Sequence, residues 1–238
     1  MPDTRIHRGP HPQDATLFSA AAVPTLSSAC ADLCWLLSRG YPATSAATLV
    51  GDRYQLTARQ RVAVARCACS DAALAARNAR RVAPASVAGV VVRLDGYNVL
   101  TSVEAALSGG VILAARDGAL RDMASMHGSY RQVSETRRAI EHIGQTLAEL
   151  RIVAAEWFLD QPVSNSGRLK TILLQTAAAC GWTWSVQLVA DPDAVLSDGD
   201  GLIATADSAV LDRCGSWLNL AREVIARHVP AAWIVALP

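Results

Sequence analysis

Lysine is all but missing from this chain. Lys170 stands alone against twenty-one arginines, so phosphate held by charge would be held mostly by guanidinium forks. Aromatics make up only 5% of the residues and alanine dominates the apolar half, a bias that favours helices. No run of about eighteen apolar residues occurs, which argues against a membrane-spanning helix. The stretch "LFSAAAVPTLSSAC" (Leu17–Cys30) follows Asp14, is interrupted by Pro24, and has Ser27 where a lipoprotein signal requires leucine. It is therefore not read as a leader, and the protein is expected in the cytoplasm. No Cys-x-x-Cys pair occurs among Cys30, Cys34, Cys67, Cys69, Cys180 and Cys214. Buried reduced thiols fit them better than a four-thiolate metal or cluster site. A glycine-rich phosphate loop ending in G-K-S/T and a G-x-S-x-G elbow are both absent, which removes the P-loop and serine-hydrolase readings.

Charge is present but unevenly placed. Residues 1–86 hold ten arginines and five aspartates, a net +5, whereas residues 87–238 hold twelve basic and sixteen acidic residues, a net −4. The overall +1 argues against an indiscriminate polyanion binder; the asymmetry allows a basic part to assist an acidic one.

Residues 1–13 are polar and proline-rich and read as a loosely held arm. Helical spacing then appears over Thr25–Arg39, with Leu26, Ala29, Leu33, Leu36 and Leu37 on the apolar side, and again over Ala43–Val50. Thr57 reads as the cap of a helix running to Arg81. If continuous, that helix would gather Arg59, Arg66, Arg77, Arg80 and Arg81 on one face, either a solvated face or a nucleic-acid stripe; a break at Ser70-Asp71 would destroy the alignment. After Pro84 the texture changes to apolar strands alternating with helices. "SVAGVVVRL", "VILAA", "RIVAAEWFL", "WTWSVQLVA", "GLIATA" and "AAWIVAL" read as strands, with helices near 99–107, 134–150, 167–180 and 214–228. "RDGALRDMASMHGSYRQV" reads as a loop. This alternation predicts a mostly parallel α/β sheet flanked by helices, preceded by a small all-α region, with domains at 1–85 and 86–238.

The carboxylates fall at strand tips. "RLDGYN" ends one strand at Asp95, "WFLDQPVSNSG" another at Asp160, and "LVADPD" a third at Asp191 and Asp193. "IATADSAVLD" ends a fourth at Asp207, with Asp212 about a turn and a half further on. In a parallel sheet these tips share one edge, so residues scattered in sequence converge in space. Crowded carboxylates become favourable around a divalent cation, and oxygen-only ligation suits Mg²⁺ or Mn²⁺ and phosphate chemistry. A lone aspartate at such a place is usually a helix cap; the repetition weakens that reading. Asp117 and Asp122 are expected to cap turns or pair with Arg116 and Arg121, His127 to bond within its loop, and Trp157, Trp182 and Trp184 to pack in the core.

"RGPHPQD", "DLCWLLSRGYPATSAATLVGDRYQLTARQR", "DGYNVLTSVEAALSGG", "RDMASMHGSYR", "LDQPVSNSGRLK" and "TADSAVLD" together resemble domain-of-unknown-function family 434, an uncharacterised prokaryotic family, over nearly the whole chain. From about residue 87 onward, "DGYN" and "TADS" resemble the PIN-like nucleases, most closely their NYN branch. That second resemblance implies a Rossmann-like, PIN-like domain acting as a Mg²⁺- or Mn²⁺-dependent phosphodiesterase, with RNA a more natural substrate than DNA. It makes Asp95 and Asp207 metal ligands, with Asp160 and Asp212 completing or extending the cluster. Asn98 would orient Asp95 or a phosphate, and Ser208 adjoins Asp207 in the same motif. Ser164, Asn165 and Ser166 stand at a helix start that favours phosphate, with Arg168 and Lys170 just beyond. Glu104 or Asp193 would supply a further acid. Two other readings stay open: a binding module of the same fold for RNA or a nucleotide, and a regulatory component recognising another protein.

Overall fold

A computed structural model describes residues 7–123, 130–198 and 200–237; His127 lies outside them. The N-terminal region comprises α1 (Asp14–Leu17), α2 (Val23–Ser38), α3 (Ala43–Arg53), α4 (Ala58–Cys67) and α5 (Asp71–Arg80). Pro24 sits in the first turn of α2, where its missing N–H has no intrahelical partner to lose. Thr57 and Gln60 form a reciprocal capping box at the start of α4.

The helix expected from Thr57 to Arg81 is two helices. Ala68 is extended (φ −85°, ψ 146°), and the Ser70 hydroxyl accepts the Ala73 N–H at 3.1 Å to start α5 afresh. The arginine face is thereby dismantled. Arg59 pairs with Asp14 at 2.8 Å, and Arg66 donates to the Asp122 carbonyl. Arg77 is buried between Asp117 and Asp212, while Arg80 and Arg81 bond backbone carbonyls. These guanidiniums fasten the helices to each other and to the rest of the chain. The arm is also not loose where it is described: Arg8 is buried, pairs with Glu104 and lies over the Tyr130 ring.

Beyond a short 3₁₀ turn at Pro84–Ser86 the chain alternates. It forms β1 (Val91–Asp95), α6 (Gly96–Leu107), β2 (Ile112–Ala114), β3 (Leu120–Asp122), α7 (Thr136–Glu149), β4 (Ala154–Asp160), α8 (Ser166–Cys180) and β5 (Trp184–Val189). Then come α9 (Pro192–Ser197), β6 (Leu202–Ala204), α10 (Ser208–Leu211), β7 (Ser216–Leu218), α11 (Leu220–His228) and β8 (Ile234–Ala236). Five strands make a parallel sheet in the order β5-β4-β1-β6-β7. Its core gathers Val92 and Leu94 of β1, Trp157 and Leu159 of β4, and the apolar stripe Ala139, Ile140, Ile143 and Leu147 of α7. From β1 the chain builds outward to β4 and β5, then returns to lay β6 on the other side. The crevice between the tips of β1 and β6 is therefore the topological switch point, where open α/β sheets bind ligands.

Two expected members leave the main sheet. "VILAA" and "AAWIVAL" become β2 and β8 of a separate sheet, β3-β2-β8, whose β3 lies inside the expected loop. Val111, Leu113, Val235 and Leu237 share a core with Leu26, Leu33 and Val64 of the helices, so the small sheet exists because the helical region covers it. The helix expected at 214–228 starts only at Leu220. Before it, Trp217 is fully buried in β7, and its Nε1 donates to the Arg77 carbonyl at 2.7 Å. Trp157 is fully buried and Trp184 packs against the same core. Among the described residues no helix is long and apolar enough to cross a membrane.

Candidate active site

At the switch point lies a cleft of about 510 Å³, lined by Asp95 from β1, Tyr97, Asn98, Thr101 and Ser102 from α6, and Asp122 with Arg121 from β3. Asp193 of α9, Asp207 and Ser208 after β6, and Arg66 with Val62 of α4 complete it.

Asp95 is the N-cap of α6 and accepts the Asn98 N–H at 3.4 Å. Gly96 follows because a Cβ there would stand 2.5 Å from Leu159 and 2.9 Å from the Phe158 carbonyl. Only glycine lets the helix begin this close to β4. The other Asp95 oxygen accepts from Thr205 Oγ1 at 2.8 Å. That hydroxyl in turn accepts the Asp207 N–H at 3.0 Å. Asp207 caps α10, taking the Ala209 and Val210 N–H groups at 2.7 and 3.2 Å. Asn98 Oδ1 accepts the Ala206 N–H at 2.7 Å and so locks the β6 tip to α6.

The electrostatics follow from this crowding. Burial, reinforced by the charges of Asp193 and Asp207, pushes the Asp95 carboxyl up to about 7 against the pull of Thr205 and Asn98. Asp193 is raised by burial and by Asp207, Asp191 and Asp160; Asp160 is raised by burial and by Asp191. The strand-tip acids thus sense one another across the sheet edge. The Tyr97 hydroxyl is buried without a hydrogen-bond partner among the described residues, and Asp160 adds to burial in raising it.

The cleft brings together Asp95, Asn98, Asp193, Asp207 and Ser208 of the expected residues. Asp160 ends the neighbouring strand beside it. Asp212 is elsewhere, accepting from Arg77 Nε at 2.7 Å. Ser164, Asn165, Ser166, Arg168 and Lys170 open α8 on the same sheet edge but do not line the cleft. There Asn165 is left-handed (φ 69°), its amide donates to the Tyr130 carbonyl at 3.0 Å, and Ser166 is buried. Glu104 lies seven residues past Tyr97, about 10 Å further along α6. It is buried and bonded by Arg8, Tyr130 and Thr136, and burial outweighs those donors to raise it.

Sequence reasoning missed Thr205, Tyr97, Asp122 and the two cleft arginines. Thr205 and Tyr97 stand inside the motifs "TADS" and "DGYN", so their signal was adjacency. Asp122 lies in β3, accepts from Thr101 and Ser102 at 3.2 and 3.0 Å, and pairs with Arg66 at 3.9 Å in place of the expected Arg116 or Arg121. Asp117 behaves as expected. Burial pushes it up, but Arg121, Arg77 and the Ala119 N–H prevail and hold it below the usual carboxylate range. Among the described residues, no group of three or more His, Cys, Asp or Glu side chains is placed to hold a metal ion.

A family model described as "Domain of unknown function (DUF5616)" matches residues 84–223. Another, described as "Protein of unknown function (DUF434)", matches residues 25–80. The resemblance to family 434 therefore holds for the helical region, while the α/β region matches a different family. The "Uncharacterized protein MJ0935" of Methanocaldococcus jannaschii is 28% identical over 180 residues, covering 76% of this chain and 86% of its own. No solved structure matches significantly.

Proposed function

The chain belongs to the family described as "Domain of unknown function (DUF5616)", and we propose that its α/β region is a PIN-like, Mg²⁺- or Mn²⁺-dependent phosphodiesterase acting on RNA. The observation that carries this reading is the convergence of Asp95, Asp193 and Asp207 on one cleft at the switch point, with Asp95 raised to about 7 by burial and its acidic neighbours. The donor set is oxygen only. Mg²⁺ asks for one or two carboxylates and keeps waters for the rest, so it needs no closed protein cage. Asp95 and Asp207 would hold the ion, with Asp193 and Asp160 adding negative charge at the edge. When bound, the ion supplies neutralising charge and Lewis acidity toward a phosphodiester.

The chain's own residues do the remainder. Thr205 and Asn98 fix the two acidic tips. Arg66 lines the cleft and would meet a phosphodiester backbone there, while Arg121, committed to Asp117 and the Ala206 carbonyl, braces the wall behind it. The Tyr97 hydroxyl offers a buried donor. Six free thiols fit a reducing compartment, and the reading places the protein in the cytoplasm.

A second reading draws on the full engagement of Asp95, both of whose oxygens already accept protein donors, as a structural cap does. On it, the cleft binds RNA or a nucleotide without cutting. The test is cleavage of mixed single-stranded and structured RNA with Mn²⁺, Mg²⁺ or EDTA, alongside folded Asp95→Asn and Asp207→Asn variants. Metal-dependent cutting lost in both variants is expected. RNA bound equally by wild type and variants, with no cutting, would overturn the enzyme reading in favour of the second.

A further inference from the structure

Four of the six cysteines meet in the helical region, far in sequence from the acidic cleft. Cys30 and Cys34, one turn apart on α2, share a buried cluster with Cys67 at the end of α4. Cys69, in the link to α5, is buried beside them. Their surroundings differ. The Cys34 sulfur sits among the Cys30 thiol, the Cys69 backbone and the Arg116 guanidinium. Arg116 is fixed there, donating to the Cys69 carbonyl at 2.8 Å and to Asp71 at 2.6 Å. Cys34 alone of the four lines a cavity of about 420 Å³, walled by Trp35, Arg39, Asp71 and Arg116. Arg39 lies 3.5 Å over the Trp35 ring, so the opening carries two guanidiniums.

We propose that Cys34 is a peroxide-reactive thiol of this protein and that Cys69 is the thiol that resolves it. The oxidant is a small hydroperoxide, which the cavity admits. The Cys34 sulfur attacks the distal oxygen; the O–O bond breaks and a sulfenic acid forms. The peroxide is reduced to the alcohol, or to water from hydrogen peroxide. Cys69 then attacks the Cys34 sulfur, a disulfide forms, and the departing hydroxide leaves as water with the Cys69 proton. The resulting bond joins α2 to the α4–α5 link.

The charge distribution agrees with this division of labour. The Cys30 thiol, the Cys69 N–H and Arg116 lower Cys34 despite its burial. Burial raises Cys67 and Cys69. A thiolate is the nucleophile toward peroxide, and low-pKa, accessible thiols react first.

The experiment uses the full chain with Cys180→Ser, since Cys180 is the exposed cysteine. The folded protein is treated with limiting iodoacetamide or hydrogen peroxide and mapped by peptide mass. Cys34 is expected to alkylate at least about tenfold faster than Cys67 or Cys214. Peroxide is expected to remove two hydrogens and cross-link the Cys34 and Cys69 peptides. Adding Cys69→Ser should leave a sulfenic acid on Cys34 that a dimedone-type reagent traps. The alkylation rate needs no cysteine variant within the cluster, so a folding defect in one does not blunt the test. Alkylation of Cys34 no faster than the other buried thiols would overturn the proposal, as would stoichiometric metal bound to this cluster in the purified protein.

Discussion

Thr205 Oγ1 donates to Asp95 at 2.8 Å and accepts the Asp207 N–H at 3.0 Å, so one hydroxyl joins the two acidic strand tips that flank the cleft. Thr205→Val keeps the shape and removes both bonds. The loss expected is about 1–3 kcal/mol, the usual consequence of leaving buried polar groups unmatched. It should be larger at pH 8, where Asp95 is ionised and depends on the donor, than at pH 5. Thr205→Ser should retain most of the stability. Urea denaturation at the two pH values checks this, and an equal loss at both would break the link to Asp95.

Asp95 has a folded pKa of about 7 against an ordinary value of 3.8. The fold favours the protonated carboxyl. Its stabilisation is fully present below about 3.8 and is lost as pH rises through about 7. At about 1.4 kcal/mol per unit, the span is on the order of 4 kcal/mol. Asp95→Asn should flatten this part of the pH–stability curve. Mn²⁺ should restore stability to the wild type above pH 7 and do little for the variant. Parallel curves for the two proteins would show that the buried proton is elsewhere.

Arg77 separates structural acids from cleft acids. It is buried and donates to Asp117 at 2.6 Å and to Asp212 at 2.7 Å, far along the chain from itself. Arg77→Ala strands the buried Asp117 with one guanidinium fewer and should cost about 3–5 kcal/mol. Asp212 is the half-exposed partner, so Asp212→Asn should cost about 1 kcal/mol or less. It should also leave any metal-dependent RNA cleavage intact where Asp207→Asn abolishes it. Loss of cleavage in a well-folded Asp212→Asn protein would return Asp212 to the active site.

The legible parts of this chain are those where local pattern and tertiary outcome agree. The apolar run before Asp95 and the "WFLD" strand carry enough β-branched and aromatic residues to mark central strands, and their tips were readable as one edge. The breaks were only partly legible. Ser70-Asp71 stood out as a candidate break, and there Ser70 caps a new helix after the extended Ala68, though alanine-rich sequence on both sides left a continuous helix equally open. β3 and β7 are three residues each and exist through tertiary partners, β2 for one, and β6 with the Arg77–Val82 segment beside Trp217 for the other. Within the site, "DGYN" and "TADS" announced Asp95, Asn98 and Asp207. Arg66 comes from an element with no motif, and Arg121 and Asp122 open the "RDMASMHGSYR" stretch without a spacing that marks a site; the packing of α4 and the small sheet brings them in.

Tyr97 supplies the most discriminating substitution at the cleft. Its hydroxyl is buried, lines the cleft through its residue, and has no partner among the described residues. A donor left unmatched costs roughly 1–3 kcal/mol, so removing it should be neutral or favourable for the fold alone. Tyr97→Phe is therefore expected to raise stability by up to about 1 kcal/mol in the absence of ligand. The same change should weaken binding of a cleavage-resistant RNA analogue by about tenfold, the equivalent of one hydrogen bond of about 1.4 kcal/mol. Thermal unfolding and fluorescence anisotropy measure the two effects on one preparation. Opposite signs would mark a hydroxyl kept for a ligand. A destabilised variant with unchanged RNA affinity would make Tyr97 a packing residue against Tyr130, whose ring lies 5.1 Å away, and would move substrate contact to Arg66.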